Sequence, residues 1–396
     1  MKFALATLGS RGDVEPFTAV GRELVRRGHE VHIAVPPNLV AFVRSAGLAA
    51  VEYGPSSREL QTADHVRNFL SGAPHPLNVV CEVIYRINRF WPHLSETLTS
   101  LTDGADLLLT DASAQGLAAN VAERYEVPRA TLNFFPSPVG EPGGVVGQAI
   151  REAEDAQRRV LGLPQAVGSA AHGALEIQAY DQMCFPGLAD EWARCGVTRP
   201  FIGALTLGLP TAADGDVLAW IAEDSPPIYF GFGSNVRIGF AAQTVALISA
   251  ACAQVGLRAL VCSGTNDFTS VPQFDNVKVV PAVNHSVVFP ACRALVHHGG
   301  AGTTAAGLRA GIPALILWLW VDQPIWGEVV ERLKVGTARR FSDISQQLLV
   351  TDLRRVLSPH YATAAREVAA QMIQPAESVA NAADLLEDAA GLGRYG

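Results

Sequence analysis

Val296-His297-His298-Gly299-Gly300-Ala301-Gly302-Thr303-Thr304 is the stretch whose reading decides the fold. Ala294-Leu295-Val296 reads as the end of a short buried strand. Thr303 to Arg309 reads as a helix, stopped by Gly311-Ile312-Pro313. A glycine-rich turn from strand into helix aims several backbone N–H groups, and the positive end of the helix dipole, at one spot that suits a diphosphate. Gly299, Gly300 and Gly302 let a ligand approach the backbone, Thr303 and Thr304 add hydroxyls, and His298 adds an imidazole N–H. The same residues would also serve a plain turn where helix packs on strand. The next apolar run favours the ligand: Ala314 to Val321 ends in Asp322-Gln323, a carboxylate and an amide able to grip sugar hydroxyls.

The chain has 396 residues, long for one core, so two α/β domains are expected. A net charge of −8 argues against a nucleic-acid surface. The cysteines show no CxxC pair and no metal-ligand spacing, which predicts free thiols in a reducing compartment. Met1 to Thr7 is too short in its apolar part for a signal peptide, and Ile312 to Val321 is about half of a membrane span. A cytoplasmic protein is expected, with room for contact at the inner face of the membrane.

Strands are predicted at Phe3–Ala6, Val31–Val35, Leu107–Asp111 and Arg129–Asn133, with a loop over Gly9–Pro16 and a helix from Phe17 to Arg27. This βαβ rhythm indicates a parallel sheet wound with helices. The pattern restarts at Pro227 with strands at Ala259–Cys262 and Val277–Val280, and Pro359–Ala389 reads as helical. Arg86-Ile87-Asn88-Arg89-Phe90-Trp91 is either an ordinary amphipathic helix or an acceptor- or membrane-facing patch. Asp214-Gly215-Asp216 spells DxD, but acidic residues just before Val217 serve well at a helix start, so no metal site is expected. Neither a G-x-G-x-x-G fingerprint nor a P-loop is present.

His297 to Thr304, followed by Asp322-Gln323-Pro324, resembles the donor site of GT-B glycosyltransferases of the family 1 type. The branch it most resembles decorates glycopeptide antibiotics and mycobacterial glycopeptidolipids. Gly9-Ser10-Arg11-Gly12-Asp13 and Phe230-Gly231-Phe232-Gly233-Ser234 are similar too, so the resemblance spans nearly the whole chain. It implies two Rossmann-like domains with parallel sheets facing a cleft. These would be an acceptor-binding domain over 1–205, a linker over 206–220, a nucleotide-sugar-binding domain over 221–375, and a C-terminal helix over 376–396 crossing back to the first domain. The implied reaction is inverting and metal-independent. It moves a hexose or 6-deoxyhexose from a UDP- or TDP-sugar to a hydroxyl of a large, partly apolar acceptor such as a glycopeptidolipid, another lipid or lipopeptide, or an aglycone. No cofactor is implied beyond the nucleotide sugar.

Such a transfer needs a base for the acceptor hydroxyl and donors for the departing diphosphate. His298, Gly299, Gly300, Gly302 and Thr303 meet the second need, with Ser234 as a further hydroxyl; donors of this kind are worth about 3–4 kcal/mol each in comparable sites. Asp322 and Gln323 are the sugar-binding candidates. Asp13 is the candidate base, at the carboxyl edge of the first strand where open α/β sheets hold ligands. The family's Gly-Ser-Arg-Gly-Asp aspartate has that role, and the histidine that plant-type relatives carry in this loop is absent. The alternative for Asp13 is to cap a helix ahead of Pro16, and both roles can coexist. Ser10, Arg11 and Gly12 are phosphate or acceptor candidates, and Arg11 either pairs with Asp13 or reaches the phosphates. By resemblance, Ala282 and Val283 lie where the nucleobase binds; the aromatic that stacks on uracil in plant-type relatives is missing, which leaves UDP or TDP open. His285 is structural or base-binding, and His297 is expected to be structural. The region after Phe135 looks short, which bears on the acceptor. The other readings are a GT-B-fold sugar-nucleotide epimerase or hydrolase and a non-catalytic nucleotide-sugar-binding subunit.

Overall fold

The computed structural model describes residues 1–57, 76–137, 144–165, 174–233, 241–264, 268, 271–319 and 322–392, with side chains in 76–88, 144–146 and 392 left aside. Twelve strands form two six-stranded parallel sheets among these residues. They belong to two units: Met1–Ala179 with Gly187–Leu205 and Pro375–Gly396, and Tyr180–Pro186 with Thr206–Gln374.

In the first unit β1 (Lys2–Ala6), β2 (Glu30–Val35), β3 (Ala49–Glu52), β4 (Leu107–Asp111), β5 (Arg129–Asn133) and β6 (Leu175–Gln178) lie in the order β3-β2-β1-β4-β5-β6. Helices α1 (Arg11–Arg26), α2 (Val40–Ser45), α3 (Pro76–Thr102), α4 (Gln115–Tyr125), α5 (Gly144–Leu161) and α6 (Leu188–Arg194) connect and cover it. A sheet covered on both faces needs apolar residues at successive positions, and β1 provides them with a size difference. Phe3 and Leu5 pack with Phe17, Val20 and Leu24 of α1, whereas Ala4 and Ala6 face Leu94 and Leu98 of α3. Phe90 and Trp91 also pack against this second cluster, and the Arg89 guanidinium lies over the Phe90 ring. That is the amphipathic-helix arrangement, with the aromatic residues turned toward the core. Residues 138–143, in the stretch after Phe135, lie outside the described residues.

Helix α1 begins six residues earlier than the sequence suggests. Ser10 and Asp13 form a capping box, which starts the helix at Arg11 and leaves Pro16 inside it. Pro16 has no N–H to offer the Gly12 carbonyl, so the proline marks a gap in the ladder rather than the helix start.

The second unit carries helices α7 (Asp214–Ala222), α8 (Ala241–Val255), α9 (His285–Val288), α10 (Ala301–Ala310), α11 (Gln323–Arg332), α12 (Gln346–Val356) and α13 (Pro359–Ala369). Its strands are β7 (Ile228–Gly231), β8 (Ala259–Cys262), β9 (Val277–Val280), β10 (Ala294–His297), β11 (Ala314–Trp318) and β12 (Gly336–Arg340). Their order, β12-β11-β10-β7-β8-β9, repeats the winding of the first sheet. Order reverses between β1 and β4 in one sheet and between β7 and β10 in the other. The carboxyl ends of strands at such a reversal are where open α/β sheets bind ligands.

The predicted helical stretch Pro359–Ala389 is two helices, broken before Pro375: α13 and α14 (Pro375–Leu392). The second of these belongs to the first unit. Ala382, Ala383, Leu386 and Ala390 of α14 are buried in the cluster that includes Phe3 and Leu5. Arg27 donates to Asp384 and Glu387 at 2.6 and 2.7 Å, and His29 meets Glu387 at 2.6 Å. The two units thus have the GT-B architecture, with the last helix returned to the first. Among the described residues no helix is long and apolar enough to cross a membrane. Removing the fully buried Leu386 side chain (Leu386→Ala) should cost about 2–5 kcal/mol in urea unfolding. Asp388→Ala, on the exposed face of the same helix, should change stability by less than about 0.5 kcal/mol.

Candidate functional site

The turn from β10 into α10 is built around Gly299, whose φ of +91° suits glycine. A Cβ there would also stand 2.8 Å from Ile316 Cγ2 and 3.0 Å from the Gln323 carbonyl oxygen. Its N–H donates to His297 Nδ1 at 3.1 Å and is therefore turned inward. Gly300 then takes the N-cap position of α10 without any side-chain cap. Thr304 is buried and returns its hydroxyl to the Gly300 carbonyl at 3.0 Å, while Thr303 stays half-buried in the first turn. At Gly302 an added Cβ would meet nothing within 4 Å, so neither packing nor φ demands glycine there.

His298 lies between two more glycines. Added Cβ atoms would come within 2.7 Å of its ring at Gly233 and 2.5 Å at Gly300. Burial lowers its pKa to about 4, against the opposing pull of the Gly231 carbonyl. The imidazole is thus neutral near pH 7 and carries a single N–H. His297 is fully buried, and burial holds its pKa well below the usual histidine value. Ser234, Trp320 and Val321 lie outside the described residues.

Asp322 occupies the N-cap of α11 but makes no side-chain cap bond. Burial raises its carboxyl to about 6, while its own backbone N–H works in the opposite direction. Gln323 is buried, and its Oε1 accepts the Leu319 N–H at 2.8 Å, tying the end of β11 to the start of α11.

On the far side of the same sheet, Ala282 and the buried Val283 follow β9. Asn284 caps α9 through its side chain, and its N–H donates to Asp214 Oδ1 at 2.8 Å. Asp214 also accepts the N–H and hydroxyl of Thr211, each at 2.7 Å. It sits one residue past the Ala213 N-cap, tying the turn before α7 to the segment after β9. Asp216 pairs with Lys278 at 2.7 Å. His285 stacks on Phe289, with ring centroids 4.3 Å apart. No group of three His, Cys, Asp or Glu side chains among the described residues could hold a metal ion.

In the first unit, Asp13 Oδ2 accepts the Ser10 N–H at 2.6 Å and the Ser10 hydroxyl at 2.9 Å. The Gly12 N–H donates to Ser10 Oγ at 3.2 Å. Gly9 has φ +106°, and a Cβ there would run into the Asp13 carboxylate. The Gly-Ser-x-Gly-Asp pattern is therefore one device: a left-handed glycine, a cap, and a carboxylate packed over both. Arg11 pairs with Glu15 at 3.1 Å and lies over the Phe42 ring at 4.6 Å, rather than pairing with Asp13. Asp111, which the sequence reading passed over, anchors the start of this loop. From the end of β4 it accepts the Thr7 hydroxyl at 2.9 Å, the Leu8 N–H at 2.8 Å and the Ser113 N–H at 2.8 Å. The signal available was a carboxylate closing an otherwise apolar strand.

Both sheets thus present glycine turns at their reversal points, with carboxylates beside that of the first, on the two-sheet frame of a GT-B enzyme. Residues 3–137 match the glycosyltransferase family 28 N-terminal domain, and residues 257–386 match the erythromycin biosynthesis protein CIII-like C-terminal domain. The chain is 53% identical to an uncharacterized glycosyltransferase of Mycobacterium leprae, over 98% of this chain and 97% of that one. It is 31% identical to a sterol 3-beta-glucosyltransferase of Arabidopsis thaliana, over 97% of this chain and 67% of the relative. The solved glycotransferase of kitacinnamycin superposes with a TM-score of 0.71 at 18% identity, over 98% of each chain. This chain belongs to the glycosyltransferases.

The raised pKa of Asp322 makes stability depend on pH in a definite direction. A carboxyl that binds its proton more tightly when folded contributes stability below its unfolded value near 4, and that contribution is lost as pH rises through about 6. Asp322→Asn should therefore melt at a higher temperature than the wild type at pH 7.5. The gain should be at most about 2–3 kcal/mol and should shrink toward zero near pH 4 in melting curves taken across that range.

Proposed function

We propose that this glycosyltransferase moves a hexose or 6-deoxyhexose, with inversion and without a metal ion, from a UDP- or TDP-sugar to a hydroxyl of a large, partly apolar acceptor. The observation that carries the reading is the uncapped N-terminus of α10 beside the open side of Gly302. A helix start with no internal acceptor for its first N–H groups suits an anion. In this reading the β-phosphate takes the N–H groups of Gly300, Gly302 and Thr303, with Ser234 as a further hydroxyl, while the neutral His298 ring, its single N–H turned to the Gly231 carbonyl, packs beside them. Asp322 and Gln323 take sugar hydroxyls, and the backbone at Ala282 and Val283 takes the base. The second unit handles the nucleotide sugar and the first the acceptor.

Asp13 is the proposed base. The acceptor oxygen gives its proton to Asp13 as it forms a bond to the anomeric carbon. The bond from that carbon to the phosphate oxygen breaks on the opposite face, and the electron pair leaves with the nucleoside diphosphate. Asp111 and Ser10 hold the loop and the carboxylate in place. The sterol specificity in the name of the plant relative favours an apolar acceptor. A glycopeptidolipid or a related lipid is the acceptor first in line.

Purified protein incubated with UDP- and TDP-sugars and panels of lipids, lipopeptides and aglycones should give mass-shifted acceptor products that persist in chelator. Sugar released only as free hexose would point to hydrolysis, and transfer confined to small free sugars would refute the apolar acceptor. Asp13→Asn should reduce turnover by about 10²–10⁴-fold, while donor affinity and melting temperature stay near wild type. Near-normal turnover in that variant would leave Asp13 as a helix cap alone. Gly302→Ala should melt at or slightly above the wild-type temperature, because nothing crowds the new methyl. Its affinity for UDP or TDP should fall by about tenfold or more, equivalent to about 1.4 kcal/mol, in calorimetric titrations.

A further inference from the structure

His297 has no place in the proposed chemistry, yet its position makes it costly to keep. It ends β10, a strand paired on both sides by β7 and β11, and it follows Ala294, Leu295 and Val296, all fully buried. An aliphatic side chain would suit such a site. The imidazole instead carries two polar atoms into the core, and burial keeps it neutral. Since Nδ1 accepts the Gly299 N–H, the ring proton belongs on Nε2, and Nε2 has no hydrogen-bond partner among the described residues. A buried donor without an acceptor costs about 1–3 kcal/mol. The imidazole can do what leucine or valine at this position cannot: hold the Gly299 N–H.

We infer that His297 is a positioning residue for the diphosphate site: its Nδ1 draws the Gly299 N–H inward, so that the donors offered to the ligand begin at Gly300. The inference rests on the reading of this turn as the diphosphate site. It also narrows that reading, because it removes the Gly299 N–H from the ligand's partners and leaves Gly299 there only for its left-handed backbone. His297 and His298 then divide the work. The first directs the peptide before the turn, and the second fills the space between Gly233 and Gly300 beside it.

Full-length protein labelled with ¹⁵N-glycine reports Gly299, Gly300 and Gly302 separately. In the free protein the Gly299 amide should exchange slowly with solvent, and His297→Leu should make it fast while His297→Asn, which keeps an acceptor, leaves it slow. On titration with UDP or TDP the Gly300 and Gly302 amides should shift strongly and Gly299 much less. His297→Leu should weaken nucleotide binding by about tenfold and His297→Asn by less than about threefold, the size of one misdirected hydrogen bond to a charged ligand. Melting temperature should not follow this order, whereas a purely structural role would make it do so. Equal losses in both variants, no loss in either, or a Gly299 amide that shifts as far as its neighbours would overturn the inference. Should the leucine variant fail to fold, wild-type exchange and titration together with His297→Asn decide the matter. A slow Gly299 amide with no nucleotide-induced shift at Gly300 or Gly302 would instead refute the diphosphate reading and leave the hydrogen bond standing.

Discussion

A parallel strand can be followed only by a crossover that leaves from its carboxyl edge, and this constraint places every chemistry-bearing residue of the chain. In each sheet it gathers the loops at one edge. Where strand order reverses, two neighbouring loops part to opposite faces and leave a gap over the sheet. The first turn of α1, which follows β1, carries Asp13 and the end of β4 carries Asp111; the loop after β7 carries Gly233 and the turn after β10 carries His298. The two units thus use one topological solution with different side chains. In the first, carboxylates are held by hydroxyls and amides. In the second, backbone N–H groups are left uncapped beside a neutral imidazole.

Much of this was legible because short apolar runs in buried parallel strands are bounded by sharp changes of composition. Leu107–Asp111, Arg129–Asn133, Ala259–Cys262 and Val277–Val280 were readable to the residue. The glycine turn was legible as a turn, since three glycines between a strand and a helix leave few alternatives. What escaped was long-range or a matter of hydrogen-bond direction. Pro16 looked like the helix boundary, while the boundary was set by a capping box beginning six residues earlier at Ser10. Asp111 gains its importance from Thr7, 104 residues away in sequence. Gly299 appeared as a donor to the ligand, and only its φ and the His297 ring show that its N–H faces the core.

In the proposed reading, the second unit attracts a diphosphate without a cationic imidazole. Both histidines of the turn are kept neutral by burial. In that reading attraction comes from oriented dipoles, which need no reorganisation when charge builds on the leaving group. Such a site discriminates by geometry: a dipole array is favourable only for an anion placed along its axis.

The return of α14 to the first unit has a consequence for how the protein is made. The first unit begins emerging from the ribosome first, yet one of its core helices is translated only after residues 206–374 have all been made. Until then the face of the first sheet that receives Leu386 lacks part of its cover, while the second unit already has all of its residues. Domains of most proteins finish folding in the order of synthesis; here the order of completion is inverted. The nascent chain must therefore carry an unfinished apolar surface through nearly half of its translation, which makes chaperone engagement and elongation rate part of the folding problem for this enzyme.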